Sequence, residues 1–211
     1  MPLLGGILKQ CQIFKTPEEG KSIGKDIRRR AEKFGRDPKD IKIVTAAYAI
    51  PGTTPESATK KMELIESLAT TTDKLTLLSE LLNFDFGTYE MDHKLTPEEL
   101  DGISGSRGLA EHFMRGDKEP TVSEFIEASN RGTIQELPVF CGTPDNIAED
   151  MSEWFTEGAC DGFMIAATHI PGAYEDFVQM VVPQLQNMGI VQSEYTTTTM
   201  RENLGLPKPL R

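Results

Sequence analysis

The sequence predicts an α/β protein, and within that class a partial (β/α)8 TIM barrel with about four C-terminal strand–helix units and a helical insertion. Strand-sized apolar runs alternate with helical patterns, and helix start signals follow three of those runs. Alternating strands and helices form parallel sheets with right-handed crossovers. A complete barrel takes about 250 residues and eight such units, whereas this chain has 211 residues, so only part of a barrel is expected.

A doubly wound sheet is the other α/β architecture that the pattern allows. Nucleotide-binding sheets of that kind carry a glycine-rich phosphate loop. No GxGxxG follows the first predicted strand, and no GxxxxGK[ST] occurs anywhere in the sequence. The barrel is therefore the favoured prediction.

Four apolar runs are predicted to be the strands, because each has the length of a strand and is bounded by turn or helix-start residues. They are 11–14, 41–50, 137–141 and 162–167. Four stretches share a helix start signal: a threonine that can cap free N–H groups, then a proline, then an acidic residue near the positive end of the helix. These stretches are 16–19, 54–57, 96–99 and 143–146.

For two helices the sequence also predicts which side chains are buried and where the helix ends or kinks. The helix after 143–146 is expected to turn Trp154 and Phe155 toward the sheet and to end at Gly158. The last helix has its apolar positions at helical spacing, and Pro183 within it should produce a kink. Those apolar positions are Phe177, Val181, Leu185 and Met188.

The predicted organisation is one domain in four parts. Two βα units occupy 1–69, a helical insertion occupies 70–136, the last two βα units occupy 137–190, and a tail at 191–211 straps back over the barrel. Helical patterns in the insertion cover 74–83, 97–101, 106–115 and 121–131. Insertions after a strand–helix pair commonly shape the substrate mouth of a barrel. A helical elaboration far from any site is the alternative.

Composition excludes several classes of partner. The chain has 33 acidic and 22 basic residues, for a formal net charge of −11, so binding to nucleic acid or to an anionic membrane has little electrostatic support. No apolar run approaches the ~20 residues that span a bilayer. The start MPLLGGILKQCQIFK lacks a clear cationic region and cleavage site. A cytoplasmic protein is expected.

Cysteines and histidines give no sign of a metal site. Cys11, Cys141 and Cys160 are odd in number and lack CxxC spacing, so reduced core thiols are expected. No HxH or HExxH is present. The glycine-rich stretch 102–108 is predicted to be a turn and helix cap rather than a phosphate loop, and His93 and His112 are expected to be solvated.

Functional side chains of a barrel lie where strands end and loops begin. His169, the only histidine on a predicted strand–helix loop, is the candidate catalytic base. The candidate substrate-pocket residues, at or just after the ends of the predicted strands, are Tyr48, Thr53, Cys141 and Thr168. Filling the upper layer of the barrel is the alternative role for Tyr48.

A four-stranded half-sheet would leave two unpaired edges and an exposed apolar face. Another copy of the chain, a separately encoded first half, or the insertion must cover that surface. A homo-oligomer or a complementary barrel half is therefore expected.

Four segments together resemble one family. They are AEKFGRDPKDIKIV (31–44), LLSELLNFDFGTYEMDHKL (77–95), VFCGTPDNIAEDMSEWFTEGACDGFMI (139–165) and PGAYEDFVQMVVPQLQNMGIVQSEYTTTTMRENLGLPKP (171–209). All four are similar to segments of the flavin-dependent monooxygenases with a bacterial-luciferase-like barrel. The branch in question includes the nitrilotriacetate, dibenzothiophene-sulfone and long-chain alkane monooxygenases. Members are roughly twice as long, and the resemblance covers their C-terminal half.

The resemblance implies insertion of one oxygen atom from O2 into a small organic substrate, with reduced FMN delivered by a separate flavin reductase. The family features that hold FMN lie mostly in the other half. One such feature, the family's serine-rich, arginine-containing phosphate loop, would lie just before the predicted strand 11–14. The stretch there, MPLLGGILKQ, is not similar to that loop, so no FMN-binding residue is assigned. The alternatives are a shortened, inactive relative that acts as a subunit or interaction partner, and a fragment of a longer gene product.

Overall fold

The computed structural model describes residues 11–12, 14–105 and 119–207. The chain divides into two compact units, Met1–Met62 with Leu137–Arg211, and Glu63–Glu136. Several sequence predictions fall outside the described residues: the helix over 106–115, His112, the second half of the turn at 102–108, and the stretch MPLLGGILKQ. In the described part of the chain, no helix is both long and apolar enough to cross a bilayer.

The first unit contains a parallel sheet of four strands. They are β1 (Cys11–Gln12), β2 (Val44–Pro51), β3 (Val139–Gly142) and β4 (Gly162–Ala166). All of the pairings are parallel. The four predicted strands are therefore confirmed, and the α/β class with them.

β2 is the central strand, and its register shows which edge each neighbour uses. Val44 pairs with both Cys11 of β1 and Gly162 of β4, and Tyr48 pairs with both Val139 of β3 and Ala166 of β4. Because a strand has two edges, β4 occupies one edge of β2, and β1 and β3 share the other.

This arrangement differs from a simple series of four barrel units. A barrel places consecutive strands side by side, whereas here β4 and not β3 takes the second edge of β2. The physical reason is that the described residues of β1 pair with Val44 and Thr45, at the start of one edge of β2. The later part of that edge of β2 is then available to β3. β2 thus lies between β4 on one side and β1, followed by β3, on the other.

Helices follow each strand, as predicted. They are α1 (Pro17–Lys33), α2 (Pro55–Ser67), α6 (Pro144–Thr156), α7 (Ala173–Asp176), a π-helical turn at Phe177–Val181, α8 (Val182–Asn187) and α9 (Met200–Asn203). Thr16 and Thr143 accept hydrogen bonds from backbone N–H groups three residues later, and so does Thr54 at 3.2 Å. These predicted helix starts are confirmed.

The second unit has its own helices and core. The helices are α3 (Thr71–Leu82), α4 (Pro97–Asp101) and α5 (Val122–Ser129), each preceded by a threonine capping box. The start predicted at Thr96 is among them. Leu78, Leu82, Phe86, Leu95 and Phe125 are fully buried and belong to one apolar cluster.

The core of the first unit lies between the sheet and its helices. Trp154 of α6 stacks on Phe14 with ring centroids 5.9 Å apart and meets Phe140 edge-on at 5.4 Å. Its predicted orientation toward the sheet is confirmed. The same prediction for Phe155 is wrong, since that side chain is 40% exposed. Adjacent helical residues point about 100° apart, so only one of the two can face the sheet.

The ends of two helices test further predictions. Gly158, at φ +75°, follows the last turn of α6, so the predicted stop is confirmed. Pro183 lies in the first turn of α8, directly after the π-helical turn, which is where an irregularity was expected. Val181 and Leu185 are buried, but Met188 is 45% exposed, because α8 ends at Asn187 before Met188 can join the buried stripe.

α1 packs closely on the sheet through small residues. A Cβ atom on Gly20 would lie 2.5 Å from the Phe14 ring and 2.6 Å from the Ala159 carbonyl oxygen. At the amino ends of β2 and β4, one Asp161 carboxylate oxygen accepts hydrogen bonds from the Ile43 N–H at 2.6 Å and from Arg28 at 2.6 Å. These contacts hold the helix against the amino end of the sheet.

Candidate functional site

The carboxyl ends of β2, β3 and β4 lie at the same end of the sheet, which we call the carboxyl edge, because the strands are parallel. In the register, Tyr48 lies between Val139 and Ala166, and Ile50 lies beside Cys141. Two of the predicted pocket residues, Tyr48 and Cys141, are therefore on neighbouring strands near this edge.

Side-chain alternation places these two residues on the same face. Ala47, Phe140 and Phe163 belong to the core beneath the helices. Because successive side chains of a strand point to opposite faces, Tyr48, Cys141 and Met164 point away from the helices. In a closed barrel this is the inner face. We call it the open face of the sheet: Val44, Ala46, Tyr48, Ile50, Val139, Cys141, Met164 and Ala166.

The open face is apolar and only partly covered. Ala46 and Ile50 are buried, Tyr48 and Cys141 are half-buried, and Met164 is 50% exposed. Burial raises the pKa of the Cys141 thiol, so the group is neutral near pH 7. This face can line an apolar chamber, and the Tyr48 ring and the Cys141 sulfur are its polarisable groups.

The other predicted site residues lie on loops. Thr53 is exposed just before α2. Thr168 Oγ1 lies 3.0 Å from His169 Nδ1, so the two follow β4 as a hydrogen-bonded pair. A Cβ atom on Gly172 would lie 3.2 Å from His169 Nε2, which shows that the imidazole packs against its own loop. The contacts that hold His169 are thus local to the loop between β4 and α7.

Charge at the carboxyl edge is acidic. The residues that follow β2, β3 and β4 include acidic side chains but neither lysine nor arginine, whereas Lys15 follows β1. These segments after β2, β3 and β4 are 52–56, 143–146 and 167–172. Lys61 of α2 forms an ion pair with Asp176 of α7. In the described ranges, no group of three or more His, Cys, Asp or Glu side chains could hold a metal ion.

A cavity of about 560 Å³ lies along β4, away from the predicted site residues. Sequence reasoning missed it. The available signals were the aromatic Phe155 beside Trp154 and the apolar pair Ile190 and Val191 after α8. Its lining includes Met151, Phe155, Phe163, Ile165, Phe177, Val182, Leu185, Ile190, Val191 and Tyr195.

The second unit contains a separate polar cluster. The His93 ring stacks on Tyr89 with centroids 4.6 Å apart, and His93 Nε2 lies 3.1 Å from a Glu99 oxygen. The Thr96 N–H and His93 lower the pKa of Glu99, and burial followed by the charge of Glu99 raises the pKa of Tyr89. His93 remains 35% exposed at its side chain and lies between the Tyr89 ring and the Glu99 carboxylate.

Comparison with known proteins relates this geometry to a family. The profile of the luciferase-like monooxygenase family matches residues 10–161. N-acetyl-S-(2-succino)cysteine monooxygenase of Bacillus subtilis is 33% identical over 92% of this chain and 44% of its own length. Nitrilotriacetate monooxygenase component A of Aminobacter aminovorans is 31% identical, over 92% of this chain and 43% of its own length.

Solved structures give the same picture. Long-chain alkane monooxygenase superposes with a TM-score of 0.69 at 26% identity, covering 90% of this chain and 39% of that one. DmoA from Hyphomicrobium sulfonivorans superposes with a TM-score of 0.66 at 30% identity, covering 91% of this chain and 40% of that one. The chain spans less than half the length of the relatives that it matches. It belongs to the luciferase-like monooxygenase family and is a partial-length relative of its members.

Proposed function

We propose that this chain is the closing part of a reduced-FMN-dependent monooxygenase barrel that oxygenates a small organic substrate. The observation that carries the proposal is the family match over 10–161, which includes β1, β2 and β3 and the open-face residues of β2 and β3. The chain would supply the last strands of the barrel, and a segment equivalent to the rest of its relatives would supply the others.

The reaction proposed for the assembled barrel is a mixed-function oxidation. One atom of O2 enters the substrate, the other leaves as water, and the reduced flavin provides two electrons. A separate flavin reductase would return the flavin to its reduced form. Relatives include a dibenzothiophene-sulfone monooxygenase and a dimethyl-sulfide monooxygenase, which supports a small organic molecule as the substrate class.

The described loops after β2, β3 and β4 fit the flavin phosphate poorly. A phosphate dianion is bound by cationic side chains or by clustered N–H donors. The loops after β2, β3 and β4 offer neither lysine nor arginine, and carry Glu56 and Asp145 instead. Lys61 already pairs with Asp176. The phosphate site of the assembled protein is therefore assigned to the missing part of the barrel.

What this chain can contribute is a wall of the chamber. Tyr48 and Cys141 point to the open face, and we propose that they contact the substrate, with Thr53 and Thr168 above them at the loop edge. His169 is the proposed proton acceptor, because its imidazole lies on the loop that follows β4 and is oriented by Thr168.

A second candidate function has its own support. The loops after β2, β3 and β4, which carry acidic side chains and neither lysine nor arginine, are also what a shortened relative without a flavin site would have. Such a chain would be inactive alone and would act as a subunit or interaction partner.

Flavin titration tests the proposal. Reduced and oxidised FMN are added to the chain alone, and to the chain joined to the first part of N-acetyl-S-(2-succino)cysteine monooxygenase of Bacillus subtilis, and flavin fluorescence is followed. We expect the chain alone not to bind at micromolar FMN, and the joined protein to bind reduced FMN. A joined protein that assembles but does not bind reduced FMN contradicts the monooxygenase function and favours the inactive subunit. Tight binding by the chain as a monomer contradicts the assignment of the phosphate site to the missing part.

A further inference from the structure

The open face is built from strands that carry no charge. β2, β3 and β4 contain neither acidic nor basic side chains. The polar side-chain groups that they place on the open face are the Tyr48 hydroxyl and the Cys141 thiol. Thr45, the other polar residue of these strands, is fully buried on the opposite face. The three strands therefore offer a substrate neither a cationic nor a carboxylate partner.

The strand register groups the polarisable side chains of this face. Met164 pairs with Ala46, two residues before Tyr48, and Cys141 pairs with Ile50, two residues after it. Neighbouring strands lie about 4.8 Å apart, and side chains on one face recur about every 6.6 Å along a strand. The Tyr48 position thus lies between the two sulfur-bearing positions. Sulfur and aromatic rings make favourable contacts with apolar and polarisable groups.

The loops that border this face add negative charge. Glu56 follows β2 and Asp145 follows β3, and both residues are exposed. Lys15, which follows β1, is also exposed, but its own N–H donates a hydrogen bond to the Glu19 carboxylate at 2.8 Å. A negatively charged group therefore lies beside this lysine. An anionic substrate that approaches the face meets like charge at the loops and loses hydration without gaining a partner from the strands.

We propose that the open face selects an uncharged, apolar substrate, for which an aryl thioether is the model, and rejects a substrate that carries a carboxylate. This inference rests on the proposed function, because it names the substrate class of that chamber. Apolar carbon and sulfur can contact Tyr48, Met164 and Cys141 without losing strong hydration. A substrate with an ammonium group is also disfavoured, since the strands carry no carboxylate to pair with it.

The test uses Cys141 as the reporter, since a molecule bound on the open face covers its thiol. The full chain is treated with a thiol reagent at pH 8, and the modification rate of Cys141 is followed by mass spectrometry of its peptide. Three ligands share a methylthiophenyl group and differ in charge: methyl phenyl sulfide, para-(methylthio)benzoate and para-(methylthio)benzylamine. We expect the neutral sulfide to halve the rate at a concentration at least tenfold lower than either charged ligand.

A pair of variants tests whether the open face makes this selection. Met164→Lys places an ammonium group at a position of the open face that is 50% exposed, and Met188→Lys places one at a 45% exposed position after α8, outside that face. Circular dichroism confirms that both remain folded. We expect Met164→Lys to shift the preference at least tenfold toward the benzoate, and Met188→Lys to keep the preference of the unchanged chain. The ligand series on the unchanged chain decides the proposal if a variant does not fold.

The same measurements are made on the chain joined to the first part of the Bacillus subtilis monooxygenase. Equal protection of Cys141 by the three ligands, stronger protection by a charged one, or protection by none in either protein overturns the proposal. An unshifted preference in Met164→Lys overturns the open face as the selecting surface.

Failure of the proposed function gives a different result. A joined protein that does not bind reduced FMN, but in which the neutral sulfide alone protects Cys141, contradicts the monooxygenase function and supports the selection by the open face. A joined protein that binds reduced FMN, but in which the benzoate protects Cys141 best, supports the function and overturns this inference.

Discussion

Asp161 joins three segments of the first unit. Its carboxylate accepts hydrogen bonds from the Ile43 N–H and from Arg28, each at 2.6 Å, and its own N–H donates to the Ile43 carbonyl oxygen at 2.7 Å. It lies at the amino end of the sheet, opposite the edge where barrel enzymes place their chemistry. Its role is therefore structural.

Replacing Asp161 by alanine should destabilise the chain. The change leaves the Ile43 N–H and the Arg28 guanidinium without their acceptor, and hydrogen bonds to charged groups contribute about 2 kcal/mol. Urea unfolding followed by circular dichroism measures the free energy of unfolding. Asp150→Ala, on the exposed face of α6, is the control and should change it little. Equal effects of the two variants would contradict the assigned role.

The two described cysteines should differ in reactivity. Burial raises the pKa of Cys160 to about 11 and also raises that of the half-buried Cys141. Because the thiolate is the reactive form, labelling by a disulfide reagent at pH 8 should be slow at both and slowest at Cys160, and should quicken as pH rises. Single-thiol variants in a Cys11→Ser background separate the two rates. Faster labelling of Cys160 than of Cys141 would count against this burial.

At the scale of elements, the contact between α1 and the sheet depends on Gly20. A Cβ atom there would overlap the Phe14 ring and the Ala159 carbonyl oxygen, and the neighbouring Gly24 is also buried. The helix can approach this closely only because these positions have no side chain.

Gly20→Ala should therefore destabilise the chain although alanine favours helices. Overpacking a close contact costs about 1–3 kcal/mol, which exceeds the gain of up to about 1 kcal/mol in helix propensity. Thermal unfolding measures the result. Ser22→Ala, at an exposed position of the same helix, should be neutral or stabilising. A Gly20→Ala protein as stable as Ser22→Ala would show that the helix is held elsewhere.

The capping box of α4 makes the second unit sensitive to acid. The Thr96 N–H and His93 lower the pKa of Glu99 below its ordinary value of 4.5. A carboxylate with a lowered folded-state pKa contributes stability above its unfolded pKa, and that contribution is lost as pH falls through the folded pKa. Stability measured from pH 7 down to pH 3 should therefore fall less steeply in Glu99→Gln than in the unchanged chain.

Glu98→Gln provides the matched control for that experiment, since Glu98 is exposed on the same helix. It should keep the acid dependence of the unchanged chain. Thr96→Ala should lower stability by about 1 kcal/mol at pH 7, because it removes the side-chain acceptor at the helix start. Identical pH profiles for both glutamate variants would contradict the role of Glu99.

For the whole molecule, the open face is the feature that distinguishes this chain from a closed barrel. Met164 is 50% exposed there, while Ala46, its partner on β2, is 4% exposed. The core of the first unit lies on the helix side of the sheet, and the open face is only partly buried.

Met164→Lys should consequently leave the stability of the isolated chain nearly unchanged, within about 0.5 kcal/mol, since exposed substitutions have small effects. Ala46→Lys should unfold or strongly destabilise it, because it buries a charge. Chemical unfolding of both variants provides the measurement. A large loss of stability in Met164→Lys would show that the open face is already covered in the isolated chain.

Much of the local structure could be predicted from the sequence, because the signals act over a few residues. Thr16, Thr96 and Thr143 start helices through bonds to N–H groups three positions away. Tyr48 and Cys141 could be placed near strand ends for the same reason, because the apolar run that contains each residue sets its position along the strand. The resemblance of four continuous segments identified the family.

Only the tertiary structure decided which edges and surfaces meet. Periodicity marks β3 and β4 as strands, but it does not state that β4 pairs with β2 along its whole length, since those partners are far apart in the sequence. Helical spacing made Trp154 and Phe155 equivalent, and packing against Phe14 and Phe140 buried only the first. The cavity along β4 is lined by a strand, two helices and the segment after α8, and such a surface exists only after long-range packing has brought them together.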